Sequence, residues 1–252
     1  MRSYILCASP RSGSTLLCDL LWQTGVAGKP NAFFRPASVA DWCNWWDLPR
    51  VAADAYGQDY LQAAIAQGTQ GSDIFGLRIM WDNMAAMLTR LRHLQGGVKD
   101  LQTLTNCFGP CQFIHLSRKD KVAEAVSLTI AEQTGLWHRN ADGTDRENFG
   151  HTDTPGYDAA QIQSALAGLN AEAAGWAGWF AANAITPHRV SYESLSQDPQ
   201  SELEKILAFL RCDPAITKRI TPGTQQLATS RNHAWAARFR QEHGLPPAPQ
   251  PS

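Results

Sequence analysis

The run Ala8-Ser9-Pro10-Arg11-Ser12-Gly13-Ser14-Thr15-Leu16-Leu17 follows directly on the apolar stretch Tyr4–Cys7. The order reads as strand, tight polar turn, then a helix with apolar residues at Leu16, Leu17, Leu20 and Leu21. Such a turn aims backbone N–H groups, hydroxyls and one guanidinium at a single point, and the helix N-terminus adds its dipole. A phosphate or sulfate group suits that place. The nucleotide-triphosphatase version of this loop has Gly-x-x-x-x-Gly-Lys-Ser/Thr, with Lys on the terminal phosphates. Here the first Gly is missing and Arg11 is the cation of the turn. The competing reading is an ordinary strand-to-helix turn closed by a Ser cap.

A second cation ends another apolar stretch. Gln112-Phe113-Ile114-His115-Leu116-Ser117-Arg118 reads as a strand with Arg118 at its carboxyl end, where open α/β sheets bind ligands. Ser127 lies nine residues beyond Arg118, about two and a half helical turns on, so the two could share an anion only if the following helix packs back over the sheet. Arg78 lies in the stretch Ile74–Met80 and shares a face with Met80 and Asp82 by strand alternation. If that strand is central, Arg78 points beside the first loop; otherwise it pairs with a carboxylate at a sheet edge. The segment Asp41-Trp-Cys-Asn-Trp-Trp-Asp47 reads either as an indole-lined acceptor pocket or as core or dimer packing.

Strand-like runs at Tyr4–Ala8, Ile74–Met80, Gln112–Leu116 and His188–Ser191 must position these groups. Between them lie helical patterns at Thr15–Thr24, Gln58–Gln67, Met84–Leu94, Lys121–Glu132, Ala159–Asn183 and Gln200–Leu210. This alternation predicts an α/β domain over residues 1–243, with a central parallel sheet flanked by helices. Polar residues His138–Tyr157 read as a long loop, a candidate lid or acceptor-selecting element. The proline-rich residues 244–252 read as an extended or disordered tail. With 252 residues, 44% of them apolar, the chain can bury a full core. Its formal charge of −1 argues against a broad nucleic-acid or anionic-membrane surface, so anion binding must come from a few placed residues. The six cysteines have neither a disulfide-framework nor a zinc-site spacing, and no apolar run reaches membrane length. The expectation is a soluble, cytoplasmic protein with reduced thiols, no metal and no membrane insertion.

Together the two anion sites resemble those of sulfotransferases that use 3′-phosphoadenosine-5′-phosphosulfate, and in particular the bacterial trehalose 2-sulfotransferase family. The resemblance rests on Ala8–Leu17, Thr24-Gly-Val-Ala-Gly28 with Pro30 and Phe33-Phe34, and Gly76-Leu-Arg-Ile-Met-Trp81. It continues through Ile114–Leu128, Gly175-Trp-Ala-Gly-Trp-Phe180, Val190-Ser-Tyr-Glu-Ser-Leu195 and Ser230-Arg231 with Trp235. It implies a P-loop sulfotransferase-type domain, a homodimer, and a small metabolite, sugar or glycolipid precursor as acceptor through a hydroxyl or an amine. Carried over by position, Arg11, Ser12, Gly13, Ser14 and Thr15 hold the 5′-phosphosulfate. Arg118 and Ser127 hold the 3′-phosphate, Arg231 reaches the donor, and Trp137 or Tyr192 packs on the adenine or in the core.

The same resemblance places a catalytic Glu in a Gly-x-Pro-x-Glu-Phe-Phe segment. Here the segment reads Gly28-Lys-Pro-Asn-Ala32-Phe-Phe34, and the Ala32 methyl cannot take a proton. Three readings follow. Another residue acts as base, with Asp82 first and His115 and His138 behind it; or the acceptor is an amine or an acidic hydroxyl; or the chain binds nucleotide without turnover. Sulfuryl transfer, like phosphoryl transfer, depends on positioning and charge stabilisation, which Arg11 and Arg78 are placed to supply. A P-loop kinase is the rival enzyme class and needs ATP, magnesium and a Lys in the turn.

Overall fold

Every residue from Ser3 to Ala8 is buried, which requires neighbours on both edges and cover on both faces. The computed structural model describes residues 1–139, 145–148, 154–220 and 230–249, with backbone only at 138–139 and 145–148. In chain order its elements are β1 (Arg2–Ala8), α1 (Ser14–Gln23), α2 (Val39–Trp45), α3 (Gln58–Thr69), β2 (Ile74–Met80), α4 (Trp81–Gln95), α5 (Asp100–Phe108), β3 (Cys111–Ser117), α6 (Lys121–Thr134), β4 (Leu136–Arg139), β5 (Asp145–Asn148), α7 (Ala159–Ala182), β6 (His188–Ser191), α8 (Tyr192–Gln197), α9 (Pro199–Phe209) and α10 (Ser230–His243). The main sheet is parallel throughout, in the order β2-β1-β3-β6. The expected α/β architecture with a flanked parallel sheet is therefore the one observed.

Strand alternation divides the core into two layers. Ile5, Cys7, Phe75, Leu77, Ile79 and Phe113 face one side and pack with α2–α5 and the end of α7. Tyr4, Leu6, Ala8, Ile114, Leu116 and Val190 face the other and pack with α1 and α9. A third cluster joins α6, α7 and α10 through Val126, Ile162, Leu169 and Phe239. The indole-rich segment joins the first layer, where Trp42 stacks on Trp46 at 5.0 Å and tilts against Phe33 at 5.1 Å. The core reading of that segment holds for Trp42 and Trp46, whereas Trp45 is exposed. All six cysteines are free. Burial pushes Cys107 up to about 12 and Cys111 to about 11, so both are thiols at neutral pH.

Three departures from the sequence pattern bear on the site. β2 is the outer strand of the sheet rather than a central one. Helix α4 starts at Trp81, three residues before the apolar periodicity begins at Met84, so Asp82 stands within its first turn rather than at its cap. The polar stretch from His138 contains a short antiparallel pairing of β4 with β5, while residues 140–144 and 149–153 of that candidate lid lie outside the described residues. No helix among the described residues is long and apolar enough to cross a membrane.

Helix α7 ties the layers to the carboxyl end of the sheet. Its buried stripe comprises Ile162, Leu169, Glu172, Trp176, Trp179 and Phe180. The fully enclosed Trp176 donates its indole N–H to the Ala8 carbonyl at 3.2 Å, where β1 gives way to the anion loop. Gly175 lets α4 approach, since a Cβ there would lie 2.2 Å from the Trp81 ring. Gly175→Ala is expected to force Trp81 and α7 apart and to lower stability by about 1–3 kcal/mol, read from chemical denaturation midpoints.

Candidate active site

The loop after β1 takes its shape from backbone conformation and from buried partners beneath it. Arg11 has φ +64° and Gly13 φ +89°, both in the left-handed region. Gly13 is the N-cap of α1 and no side chain caps that helix, so the Ser-capped turn is not what forms. Ser12 is fully buried and donates its hydroxyl to the Ser9 carbonyl at 2.7 Å. Ser9 in turn donates to Glu124 at 2.5 Å, and Glu124 pairs with Lys121 at 2.6 Å. Burial raises the Glu124 carboxyl, while Lys121 and the Ser9 hydrogen bond pull it back. Ser14 and Thr15 are buried, and Thr15 accepts from Arg78 Nη1 at 3.0 Å.

That hydrogen bond settles the orientation of Arg78. Although β2 is an edge strand, it lies directly beside β1, with Arg78 opposite Leu6 in the register. Arg78 makes no ion pair among the described residues, and its Nε is buried without a hydrogen-bond partner. It thus reaches the loop rather than a carboxylate at the sheet edge.

On the other side of the loop, Arg11 Nε donates to the Ser127 hydroxyl at 3.1 Å and its Nη1 to the Trp137 carbonyl. Helix α6 packs against α7 and α10, and Ser127 lines the same cavity as Arg118. Arg118 lies over the Tyr192 ring at 4.4 Å, and its Nε is buried without a hydrogen-bond partner. The Glu193 carboxylate accepts from the Lys119 and Asp120 amides at 3.0 and 3.3 Å, fixing the turn that carries Arg118.

Two cavities result, and Arg11 lines both. The larger, about 640 Å³, includes Arg11, Arg118, Ser127 and Tyr192, closed by α10 residues such as Asn232 and His233. The proline-rich stretch after Gly244 carries no helix or strand as far as residue 249, yet Leu245, Pro247 and Ala248 line this cavity. Arg231 is exposed at the start of α10 and does not line it. The smaller cavity, about 170 Å³, is lined by Arg11, Ser14, Ala32, Arg78, Asp82 and Glu172, with Trp137 on its wall. Ala32 therefore stands where the expected Glu would face Arg11 and Arg78, held there by buried Phe33 and Phe34.

The histidine alternative does not fit this geometry. His115 is buried in β3 against Phe180, shares a hydrogen bond with Arg189 at 3.3 Å, and lines neither cavity. Burial, reinforced by Arg189 and Lys121, pushes it down to about 4, so it is a neutral core residue near pH 7. The side chain of His138 lies outside the described residues.

Glu172 was not visible as a site residue from motif spacing. A signal existed: it is the one charged residue in the 24-residue helix α7, and it falls on the buried stripe. It is 7% exposed, and its Oε2 is buried without a hydrogen-bond partner. Burial first, then Asp82 and Glu124, push its carboxyl up to about 7 against the opposing pull of Lys121.

A loop that presents Arg11 between two cavities, at the carboxyl end of a parallel sheet, lies where open α/β sheets bind ligands. The family model described as Stf0 sulphotransferase matches residues 3–242, and the chain belongs to that family of enzymes. It is 28% identical to trehalose 2-sulfotransferase of Mycolicibacterium smegmatis over 97% of both chains. It is 26% identical to trehalose 2-sulfotransferase of Mycobacterium tuberculosis over 98% of both. Among solved structures, the sulfotransferase from Alicyclobacillus acidocaldarius aligns with a TM-score of 0.46 at 11% identity, covering 98% of this chain and 97% of that one.

Two measurements follow from this geometry. A Cβ at Gly13 would meet the Tyr192 ring at 2.9 Å in a left-handed conformation. Gly13→Ala should cost about 1–3 kcal/mol of stability, seen in denaturation, and weaken anion binding to the loop. Because the Glu172 carboxyl is raised in the fold, its protonated form is favoured there. Its stabilising contribution is complete below the ordinary carboxylate range and is lost as pH rises through about 7. Glu172→Gln should therefore stabilise the protein by roughly 1–3 kcal/mol near pH 8 and by little near pH 4, read as a pH series of melting temperatures.

Proposed function

We propose that this sulfotransferase moves a sulfuryl group from 3′-phosphoadenosine-5′-phosphosulfate to a hydroxyl of a small, sugar-like acceptor of the trehalose class. The observation that carries the reading is Arg11 standing in the wall shared by the larger and smaller cavities. In this reading the larger cavity takes the nucleotide. Arg118 and Ser127 meet its 3′-phosphate, and Tyr192 with the tail residues Leu245 and Pro247 packs near the base. Arg231 is exposed at the start of α10, next to the cavity-lining Asn232, and meets the donor from that helix end.

Arg11, Ser12, Gly13, Ser14 and Thr15 hold the 5′-phosphosulfate, with loop N–H groups and the α1 dipole directed at the bridging oxygen. Arg11 neutralises charge growing on the leaving phosphate, and Arg78 steadies the sulfuryl oxygens as they flatten in transit. The buried Nε atoms of Arg78 and Arg118, without hydrogen-bond partners among the described residues, fit waiting anionic oxygens. The acceptor occupies the smaller cavity, where two carboxylates, Asp82 and Glu172, stand ready for its proton. The free thiols support a reducing, cytoplasmic setting, and the family resemblance supports a homodimer.

Calorimetry or thermal shift with 3′,5′-adenosine bisphosphate, set against ATP with magnesium, tests the donor. The bisphosphate at ~100 times its Kd should stabilise the protein by about 2.7 kcal/mol. Arg118→Ala should weaken its binding by roughly ten- to a hundredfold. ATP preferred over bisphosphate, with magnesium required, would sink the reading in favour of a kinase.

A further inference from the structure

Position 32 has lost its carboxylate, yet the cavity that position faces still contains a buried one, contributed by a different element. Glu172 comes from α7 and Ala32 from the loop before α2, and both line the smaller cavity with Arg11 and Arg78. Its place is built rather than incidental. Trp176, one turn further along the same stripe, is bonded to the Ala8 carbonyl at the root of the anion loop. Gly175 closes α7 onto Trp81 at the start of α4, bringing Asp82 into the electrostatic reach of Glu172.

A carboxylate oxygen sealed from water and without a hydrogen-bond donor is costly to keep, and neither the core nor the loop uses it. Loop support is supplied instead by Glu124, which is fully buried and already bound to Ser9 and Lys121. Asp82 is exposed on the first turn of α4, where water reaches it.

We propose that Glu172 is the general base of this enzyme, taking over from α7 the proton-accepting role that Ala32 cannot fill, and that Asp82 acts as a positioning residue that keeps Glu172 basic. The inference rests on the sulfuryl-transfer reading above. In the step, the acceptor oxygen bonds to sulfur as its proton passes to the Glu172 carboxylate. The bond from sulfur to the bridging oxygen of the 5′-phosphate breaks. Its electron pair leaves on the 5′-phosphate of 3′,5′-adenosine bisphosphate. The proton then returns to solvent.

The charged groups around Glu172 are Asp82 from α4, Glu124 and Lys121 from α6, and Arg11, Arg35 and Arg78 across the cavity. Burial and the two carboxylates hold its carboxyl near about 7, a suitable value for a base at neutral pH. The proton-accepting form is therefore lost as pH falls below that value.

The test is release of 3′,5′-adenosine bisphosphate from the sulfated donor in single turnover, with trehalose and with water alone as sulfuryl acceptor. Bisphosphate affinity is measured on the same samples. Glu172→Gln should slow release by on the order of a hundredfold or more, with affinity unchanged, and Glu172→Asp should recover part of the rate. Wild type should lose rate below about pH 7, and Asp82→Asn should move that limb to lower pH. Should the Gln variant fail to fold, the wild-type limb and its displacement in Asp82→Asn still decide the matter. A Glu172→Gln rate within about threefold of wild type, or a wild-type rate flat across that range, overturns the assignment. So does an Asp82→Asn variant that is inert while Glu172→Gln is active. Absence of bisphosphate binding in wild type is a different failure and overturns the donor reading itself.

Discussion

A single hydrogen bond, from the Trp176 indole to the Ala8 carbonyl, sets the geometry on which the site depends. Ala8 ends β1, the strand that lies between β2 and β3, so its carbonyl is the last fixed point before the chain enters the anion loop. An indole with one donor, fully enclosed among Trp81, Trp179 and Phe180, has to place that donor on an acceptor. Meeting this requirement docks the longest helix of the fold against the carboxyl end of the sheet. The depth and rotation of α7 then follow, and with them the position of every residue on its buried stripe.

Electrostatics around the loop follow from the same packing. The chain carries almost no net charge, yet Arg11, Arg78 and Arg118 gather at one end of the sheet. Contacts that orient them include the Ser127 hydroxyl, the Thr15 hydroxyl and the Tyr192 ring. The acidic partner of the region, Glu124, is turned beneath the loop and matched to Lys121. The carboxylate placed there steadies Ser9 and also feels the attraction of Arg118.

In the proposed mechanism Glu172 supplies the carboxylate that the family resemblance expects at position 32, and both residues line one small cavity. Glu172 on its helix is buried, whereas Ala32 on its loop is half-buried. In the proposed mechanism that burial, with Asp82 nearby, substitutes for whatever environment tunes the base in relatives that keep the Glu. The cost is a buried acid in a helix that is otherwise uncharged, an expense of stability that functional sites commonly bear.

The four parallel strands, most of the helices and the tight polar turn after β1 were legible in the chain, because strand alternation, helical period and turn chemistry are local properties. Met80 through Asn83 shows where local reading stops: α4 begins at Trp81, before the apolar periodicity that starts at Met84. Helices α2, α5, α8 and α10 are short or sparsely apolar, and packing against the rest of the fold stabilises them where propensity does not. The order of strands, and so the reach of Arg78 to Thr15 from an edge strand, depends on pairing between residues more than sixty positions apart. Glu172 marks the boundary most clearly. Its residue type and its isolation in an apolar helix belong to the sequence by itself. Only the tertiary structure could turn that isolation into a site, because burial and unpaired polarity are properties of surroundings that no single segment contains.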